Sequence, residues 1–312
     1  MTFTTVAVLF FSVLFPVKTW FSPTSPLEIT VRPESGPVSL VLTDFSGKVF
    51  DAKDPVEIEK ETTVDLRGSY PSLEMPGTYL LFAVPKGKDL KEFSGTPLVV
   101  GVRSDPRRGG GPAATAMVVK IEPLRYAVMS TDKGDMTMAF YYDVAPNTAD
   151  NFLRLAEGGY YDGLAFHRIV PEFVIQGGDP KGDSSGGPGY QIGAEFSDRE
   201  HDVGVLSMAR EGDPLERQGG MPRPEFADSA GSQFFICLTR EKTKQLDRKY
   251  TVFGKVTSGL DVVTAIGATL TEGPNGDTPT VVHKINRVQV LPVTAGSNPY
   301  ATLLRVTEEK SE

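Results

Sequence analysis

Short β-rich segments separated by turn residues run along most of the chain, and this pattern constrains its fold more than any other feature. Segments such as VSLVLTD (38–44) and YTVFGKV (250–256) have the length and the β-branched or aromatic content of strands. Glycine and proline turns lie between such segments. Apolar residues recur at helical spacing after Pro146 and again at 260–266. The sequence therefore predicts a mainly β fold with two helices.

A stretch rich in glycine, proline and alanine divides the chain. RSDPRRGGGPAATA (103–116) has no apolar periodicity, which indicates a linker. A chain of 312 residues is long for one domain and comfortable for two. The first part contains no catalytic set of residues, so it is interpreted either as an adaptor or substrate-docking module or as a packing spacer. The predicted organisation is an apolar signal or anchor segment at 1–25, a small β-sandwich at 26–102, a linker at 103–117, a larger β domain at 118–292 and a polar tail at 293–312.

The N-terminal segment VAVLFFSVLFPV (6–17) is almost purely apolar and is followed by Lys18. As a helix it would rise about 18 Å, which is short for a membrane span but typical of a signal-peptide core. No basic residue precedes the segment, and no Ala-x-Ala cleavage site follows it. We expect export, to the periplasm or to a membrane tether that faces away from the cytoplasm. The alternative is a cytoplasmic protein with a mis-assigned start codon or a buried strand at this position.

Charge and motif content exclude several function classes. A net charge of −8 and a pI near 5.1 argue against nucleic acid or an anionic membrane surface as the main partner. Cys237 is the single cysteine, so no intramolecular disulfide is possible. The three histidines lack zinc spacing, the serines lack a G-x-S-x-G context, and the glycine-rich segment 177–189 lacks the ending of a phosphate loop. The sequence predicts no metal and no cofactor, and it places 177–189 in a long surface loop.

Two motifs carry polar side chains on apolar strands, FHRIVPEFVIQGGD (166–179) and GSQFFI (231–236). Strand alternation gives Arg168, Gln176 and Gln233 apolar neighbours on the same face. An arginine in such surroundings must find acceptors or reach an open groove, because an unpaired buried guanidinium is very costly. A structural salt bridge is the simpler alternative. The set contains no nucleophile and no metal cluster, so it suits a reaction in which no covalent bond breaks.

Residues from about 124 to 291 resemble a cyclophilin-type peptidyl-prolyl cis–trans isomerase domain. The resemblance rests on FHRIVPEFVIQGGDP, GVLSMAR, AGSQFFI and LDRKYTVFGKV, which occur in this order and at plausible spacings. It implies an isomerase that acts on the peptide bond before proline, with proline-containing polypeptides as clients in protein folding. The many strands and two helices of 118–292 favour a closed antiparallel β-barrel capped by the helices, because closure removes exposed sheet edges.

The resemblance also implies a role for each matching residue. Arg168 is expected to be the catalytic arginine, and Gln176 is expected to hydrogen-bond the substrate backbone. Phe173 and Phe235 are expected to wall the pocket for the proline ring and complete the catalytic set. The remaining residues expected to bind the substrate are Val174 and Leu246 on the apolar floor, Ala209 and Arg210 on an extended edge, Gln233 near that edge, and Tyr250 at the border of the groove.

Three features depart from the family pattern. Gln245 stands where members that bind cyclosporin tightly have tryptophan, so weak cyclosporin binding is expected. Arg210 replaces the asparagine found in those members and is expected to add a charge at the groove. The segment 211–231 is longer than the usual connection. It is either a tolerated surface insertion or a loop that shapes substrate choice, even by occluding the groove.

Three hypotheses of function follow from these features. In the first, the protein is an exported isomerase that assists folding, and Arg168 stabilises the twisted prolyl amide. In the second, it is a binding module of the same fold that holds proline-containing segments with little or no turnover. A third and weaker hypothesis makes the β-sandwich the main interaction part.

Overall fold

The computed structural model describes residues 12–22, 24–54, 56–104 and 117–302. These residues form two compact units, of which the second is Arg125–Leu291 and the first contains the rest. The predicted linker falls largely at 105–116 and the start of the apolar segment at 6–11, so both lie outside the described residues. Within the described ranges, no helix is both long and apolar enough to cross a membrane.

The first unit contains two antiparallel sheets. Its strands are β1 (Leu14–Pro16), β2 (Trp20–Phe21), β3 (Glu28–Val31), β4 (Val38–Asp44), β5 (Val49–Phe50), β6 (Glu57–Ile58), β7 (Thr62–Asp65), β8 (Gly77–Pro85), β9 (Ser94–Ser104) and β10 (Met117–Pro123), and one short helix, α1, spans Leu66–Ser69. The smaller sheet has the order β1-β3-β7. The larger has the order β2-β10-β9-β8-β4-β5, with β6 paired to β4.

Strand β10 sets the boundary between the two units. It pairs with β9 along its whole length, from Met117 opposite Ser104 to Pro123 opposite Leu98. The sequence predicts that the second domain starts at 118, whereas the second unit begins at Arg125. The difference arises because the backbone groups of this segment complete the sheet of the first unit.

Apolar residues near both ends of the described chain belong to the core of the first unit. Val13 and Leu14 are buried, and Leu14 in β1 lies opposite Val31 in β3. The described end of the apolar segment therefore contains a short paired strand whose first residue is buried. Val293 and Tyr300 are fully buried as well, which differs from the polar tail expected at 293–312. Their apolar surface is withdrawn from water, which stabilises this end of the chain in place.

The second unit contains one curled sheet of eight strands. Its elements are β11 (Arg125–Thr131), β12 (Gly134–Phe140), α2 (Pro146–Glu157), β13 (Arg168–Val170), β14 (Val174–Gly177), β15 (Val205–Met208), α3 (Pro224–Ala227), β16 (Phe234–Cys237), α4 (Arg240–Thr243), β17 (Val252–Ser258), α5 (Leu260–Gly267), β18 (Thr271–Glu272), β19 (Thr278–Pro279) and β20 (Ile285–Pro292). The sheet has the order β13-β14-β16-β15-β17-β12-β11-β20, and β18 and β19 form a separate hairpin. The prediction of a mainly β fold is confirmed.

Helix α2 covers the aromatic core of this unit. Pro146 occupies the first turn, where its missing N–H costs nothing, and Gly158 caps the carboxyl end. Phe152 is fully buried, and its ring lies 4.7 Å from that of Tyr161 and 5.4 Å from that of Phe234 between centroids. The two helices expected after Pro146 and at 260–266 are confirmed as α2 and α5.

Candidate active site

Three neighbouring strands carry the polar and aromatic residues of the two motifs. Arg168 in β13 lies opposite Gln176 in β14, and Gln176 lies opposite Phe235 in β16. Directly opposed residues on antiparallel strands project from the same face of the sheet. The register therefore places three of the four predicted catalytic residues in one row. The fourth, Phe173, directly precedes β14 and is half-buried.

Hydrogen bonds join the polar side chains of this row. Arg168 Nη1 donates to Gln176 Oε1 at 3.1 Å, and Gln176 Nε2 donates to Gln233 Oε1 at 2.9 Å. Gln233 Nε2 donates to the carbonyl oxygens of Ser184 and Gly186, at 3.1 and 2.8 Å. The two glutamines thus hold the arginine and the glycine-rich loop in a fixed relation.

Asp277 orients the arginine from the other side and was not among the predicted site residues. Arg168 Nε donates to Asp277 Oδ2 at 2.8 Å, and the Ile169 amide donates to the Asp277 carbonyl at 2.9 Å. Asp277 directly precedes β19, in the hairpin that it forms with β18. The sequence requires an acceptor for Arg168, but this one is 109 positions away, so no local motif identifies it.

Phe235 is 5% exposed and shares its face of the sheet with the apolar residue Val174, which lies opposite Cys237. Val174 is buried, and the Tyr250 ring meets that of Phe235 edge-on at 5.8 Å between centroids. Leu246 lies one turn before Tyr250, and its carbonyl oxygen accepts a hydrogen bond from the Tyr250 amide nitrogen at 3.2 Å. Burial raises the pKa of the Tyr250 hydroxyl, and the charges of Arg210 and Arg168 oppose the rise. An apolar surface therefore adjoins the arginine row.

A buried histidine supports the Phe235 ring, and sequence analysis did not identify it. His201 is fully buried, and its ring stacks on that of Phe235 at 6.0 Å between centroids. Its Nδ1 lies 3.0 Å from Asp247 Oδ1, and its Nε2 lies 3.0 Å from Ser207 Oγ. Burial lowers the pKa of His201, and the hydrogen bond and charge of Asp247 act in the opposite direction. An imidazole with both nitrogens engaged therefore holds the Phe235 ring from one side.

A groove of about 850 Å³ lies beside Gln176 and Gln233. The Ala209 amide donates to the Gln233 carbonyl at 2.9 Å, which places the predicted extended edge along this groove. The lining includes Gln176, Gln233, Ala209 and Arg210, much of the glycine-rich loop from Ser184 to Gln191, and Glu211 and Ser229 of the insertion. Within the described residues the insertion borders the groove without filling it, in contrast to the occlusion considered for it.

Arg210 is not the free charge that the sequence suggests. Its side chain is 2% exposed and forms an ion pair with Glu216, with Nη2 at 2.6 Å from Oε1. Its guanidinium carbon also lies 4.2 Å from the centroid of the Tyr250 ring. The charge is neutralised because a carboxylate of the insertion reaches it. In the described part of the chain, no cluster of three histidine, cysteine or acidic side chains could hold a metal ion.

The second unit is similar to known proteins. The family model for "Cyclophilin type peptidyl-prolyl cis-trans isomerase/CLD" matches residues 126–290. A peptidyl-prolyl cis-trans isomerase of Synechococcus elongatus is 43% identical over 129 residues, which cover 41% of this chain and 78% of that protein. Peptidyl-prolyl cis-trans isomerase B of Bacillus subtilis is 44% identical over 132 residues, which cover 42% and 81%. A Cryptosporidium parvum cyclophilin type peptidyl-prolyl cis-trans isomerase, crystallised in the presence of the dipeptide Ala-Pro, has a TM-score of 0.46 and 26% identity, covering 54% of this chain and 99% of that one.

The matched segment contains the whole arginine row. Residues 126–290 include Arg168, Gln176 and Phe235, and the strands that align them belong to the same unit. The family model and the two bacterial relatives confirm the family and the type of activity that the motifs predict. The chain therefore belongs to the cyclophilin-type peptidyl-prolyl cis–trans isomerases, and its second unit is the isomerase domain.

Proposed function

We propose that the protein assists the folding of proline-containing polypeptides and that Arg168 provides the main catalytic interaction. The observation that carries this proposal is the way Arg168 is held. Asp277 and Gln176 bind two of its five N–H groups, through Nε and Nη1, and 35% of the side chain is exposed. The guanidinium is therefore held at two of its nitrogens, while part of the side chain stays open to solvent.

Rotation about the bond before proline requires the loss of amide resonance, with a barrier of about 20 kcal/mol. Twisting localises the lone pair on the prolyl nitrogen, so a cation that donates a hydrogen bond there or at the preceding carbonyl binds the twisted state more strongly than the planar one. Lowering the barrier by about 7 kcal/mol accelerates rotation about 10⁵-fold. No covalent bond breaks, and the enzyme's groups only bind, orient and polarise the amide.

The surrounding residues supply the other requirements of this reaction. The apolar surface of Phe235, Val174 and Leu246 would hold the proline ring while its nitrogen changes geometry. Gln176 donates one amide hydrogen to Gln233 and accepts from Arg168, which leaves its second amide hydrogen for a substrate carbonyl. Both ends of the rotating bond are then restrained, which reduces the entropy lost at the transition state.

An isomerisation assay on proline-containing peptides tests this proposal. We expect Arg168→Ala to lower kcat/KM by about 100-fold, as loss of one oriented electrostatic donor does in other enzymes. Arg154→Ala is the matched control, because the Arg154 side chain is 70% exposed on α2 and pairs with Asp150 in its own helix. Equal rates for wild type and Arg168→Ala would refute the role of Arg168. Peptide binding without acceleration by wild type would instead favour the binding-module hypothesis.

We propose export on the basis of the apolar segment 6–17. Strand β1 includes the end of this segment and is paired in the first unit, with Pro16 opposite Ile29. A cleaved signal would therefore have to end before Val13, which is fully buried. Amino-terminal sequencing of the protein from fractionated cells tests this. A cytoplasmic protein with an intact amino terminus would contradict export, and a mature start beyond Pro16 would contradict a place for β1 in the mature fold.

We infer further that the curled sheet closes into a barrel and that the first unit is a β-sandwich. Closure is supported by bonds between the segments next to the two edge strands, such as Phe166 N to His283 O at 2.9 Å and Ile285 N to Leu164 O at 2.8 Å. The sandwich is supported by a common apolar core that contains Ile29 of the small sheet and Leu81 of the large one. Slow hydrogen exchange at the Phe166 and Ile285 amides tests closure, and rapid exchange at both would contradict it.

A further inference from the structure

The guanidinium of Arg210 is fully engaged by the protein. Its Nε and Nη2 donate to the Lys249 carbonyl at 3.2 and 3.0 Å, and its Nη1 donates to the Glu211 carbonyl at 2.7 Å. Nη1 and Nη2 also bind the two carboxylate oxygens of Glu216, at 3.0 and 2.6 Å. These five bonds use all five N–H groups. Arg210 therefore has no donor left for a substrate and acts as a connection between segments.

Glu216 is itself held rigidly within the insertion 211–231. The Asp213 amide donates to Glu216 Oε2 at 3.0 Å, and Asp213 Oδ1 accepts from the Leu215 amide at 2.9 Å, which together form a capping box. Arg223 Nε and Nη2 bind the two oxygens of Asp213 at 2.9 and 3.0 Å. These contacts hold the pKa of Asp213 well below its usual range. The insertion is therefore a scaffolded segment with a carboxylate aimed at Arg210.

The other face of Arg210 reaches the wall of the proline pocket. Its guanidinium lies over the Tyr250 ring at 4.2 Å, and Tyr250 in turn meets Phe235 edge-on at 5.8 Å. A cation over an aromatic face is attracted by the ring quadrupole. An asparagine at this position would be shorter and would lack the planar fork, so it could not bind a carboxylate at two points while covering the ring. The connection thus runs from Glu216 through Arg210 and Tyr250 to Phe235.

The same segment also forms one side of the groove beside Gln176. The Glu211 amide donates to Ser229 Oγ at 2.8 Å, which joins the two ends of the insertion where Glu211 and Ser229 line the groove. The opposite side belongs to the glycine-rich loop that Gln233 holds. A peptide bound at the arginine row would therefore extend past the insertion.

We propose that the insertion 211–231 is a specificity-determining wall of the substrate groove and that Arg210 and Glu216 are positioning residues, which couple this wall to Tyr250 and the proline pocket. This inference rests on the proposed function of the arginine row. The client is a polypeptide whose residues next to proline contact Glu211 and Ser229. Neither Arg210 nor Glu216 contacts the reacting amide.

The test compares variants on a panel of peptides that differ only in the residues on each side of the proline. The double variant Arg210→Asn/Glu216→Gln removes both charges at once, so no buried charge is left unpaired. We expect it to lower kcat/KM by about threefold or more for some peptides and to change the order of preference within the panel. Glu225→Gln is the matched control, since it is the same substitution in the same insertion at a side chain that is 60% exposed.

A cycle with Tyr250→Leu distinguishes positioning from general destabilisation. If the insertion acts through Tyr250, adding Tyr250→Leu to the double variant lowers kcat/KM by less than the product of the two separate fold-decreases. Multiplicative losses, or an order of preference identical to that of wild type and Glu225→Gln, would overturn the proposal. Thermal unfolding of each variant confirms that the compared proteins are folded. If wild type accelerates no peptide, the proposed function fails, while peptide affinities across the same panel still test the wall.

Discussion

Replacing Asp277 tests whether the orientation of Arg168, and not only its charge, determines the rate. Asp277→Asn retains an acceptor oxygen but removes the charge, whereas Asp277→Ala removes both. Arg168 Nε lies 2.8 Å from Asp277 Oδ2, and the two side chains are 35% and 17% exposed. If the contact serves only stability, neither variant changes the rate of the folded enzyme. If it fixes the guanidinium, both slow it.

The expected size follows from the type of hydrogen bond that is lost. A bond to a charged group contributes about 1.5–3 kcal/mol and a neutral bond about 0.5–1.5 kcal/mol, and partial exposure favours the lower values. Asp277→Asn should therefore weaken the stabilisation of the transition state by about 1 kcal/mol, and Asp277→Ala should weaken it by about 2 kcal/mol. These energies correspond to decreases in kcat/KM of about fivefold and about 30-fold. The loss should appear mainly in kcat, because the contact made by Arg168 strengthens in the transition state.

Removal of the Asp277 carboxylate also has an effect that would raise the rate. Without the carboxylate, the cation of Arg168 is less neutralised and would attract the twisted amide more strongly. We expect this gain to be smaller, because the substrate is farther from Asp277 than Arg168 is and water screens part of the field. Adding Asp277→Ala to Arg168→Ala should cause no further decrease in kcat/KM. Asp198→Ala is the matched control, because Asp198 forms an exposed ion pair with Arg248. An Asp277→Ala enzyme as fast as wild type, or faster, would refute the argument.

Three other changes have expected outcomes. Gln245 is exposed beside Phe173 in a groove of about 410 Å³. In an inhibition titration, wild type should therefore bind cyclosporin weakly and Gln245→Trp should bind it more tightly. An unchanged affinity would contradict the role of this position. Burial lowers the pKa of His201 below its ordinary value of about 6.5, so the unfolded chain gains a proton first and the free energy of unfolding should fall between about pH 7 and pH 5. In urea unfolding, the free energy of unfolding of His201→Gln should depend less on pH than that of wild type. The same pH dependence in both proteins would contradict this expectation. Phe152→Ala in the aromatic core should lower the free energy of unfolding by about 3–5 kcal/mol in the same assay, whereas a loss below about 1 kcal/mol would show that the core repacks.

The arginine row could be predicted from sequence because it depends on short-range rules. Strand alternation predicts the apolar neighbours of each residue within its own strand, and the structure adds the register across Pro171, which brings Arg168 opposite Gln176. The motifs then identify the family, and the family model covers the same residues. Local structure and motif identity were sufficient for this part of the site.

The supporting residues could not be predicted because their partners are distant in the chain. Asp277 meets Arg168 across 109 positions, and His201 meets Asp247 across 46. Histidine and aspartate in loops have no periodicity that assigns them a face or a partner. The second unit begins at Arg125 and not at the predicted 118 for a similar reason. The strand Met117–Pro123 pairs with β9, and composition does not indicate this pairing.

Arg168 and Arg210 show why residue type alone does not assign a role. Both are arginines next to apolar residues, and the sequence gives both a place at the groove. Arg168 has described partners for two of its N–H groups and is 35% exposed, whereas Arg210 has partners for all five and is 2% exposed. A guanidinium can polarise a substrate only with donors that the protein does not already use. The number of acceptors within reach, which tertiary structure alone determines, therefore separates the arginine proposed to act on the substrate from the one proposed to position the insertion.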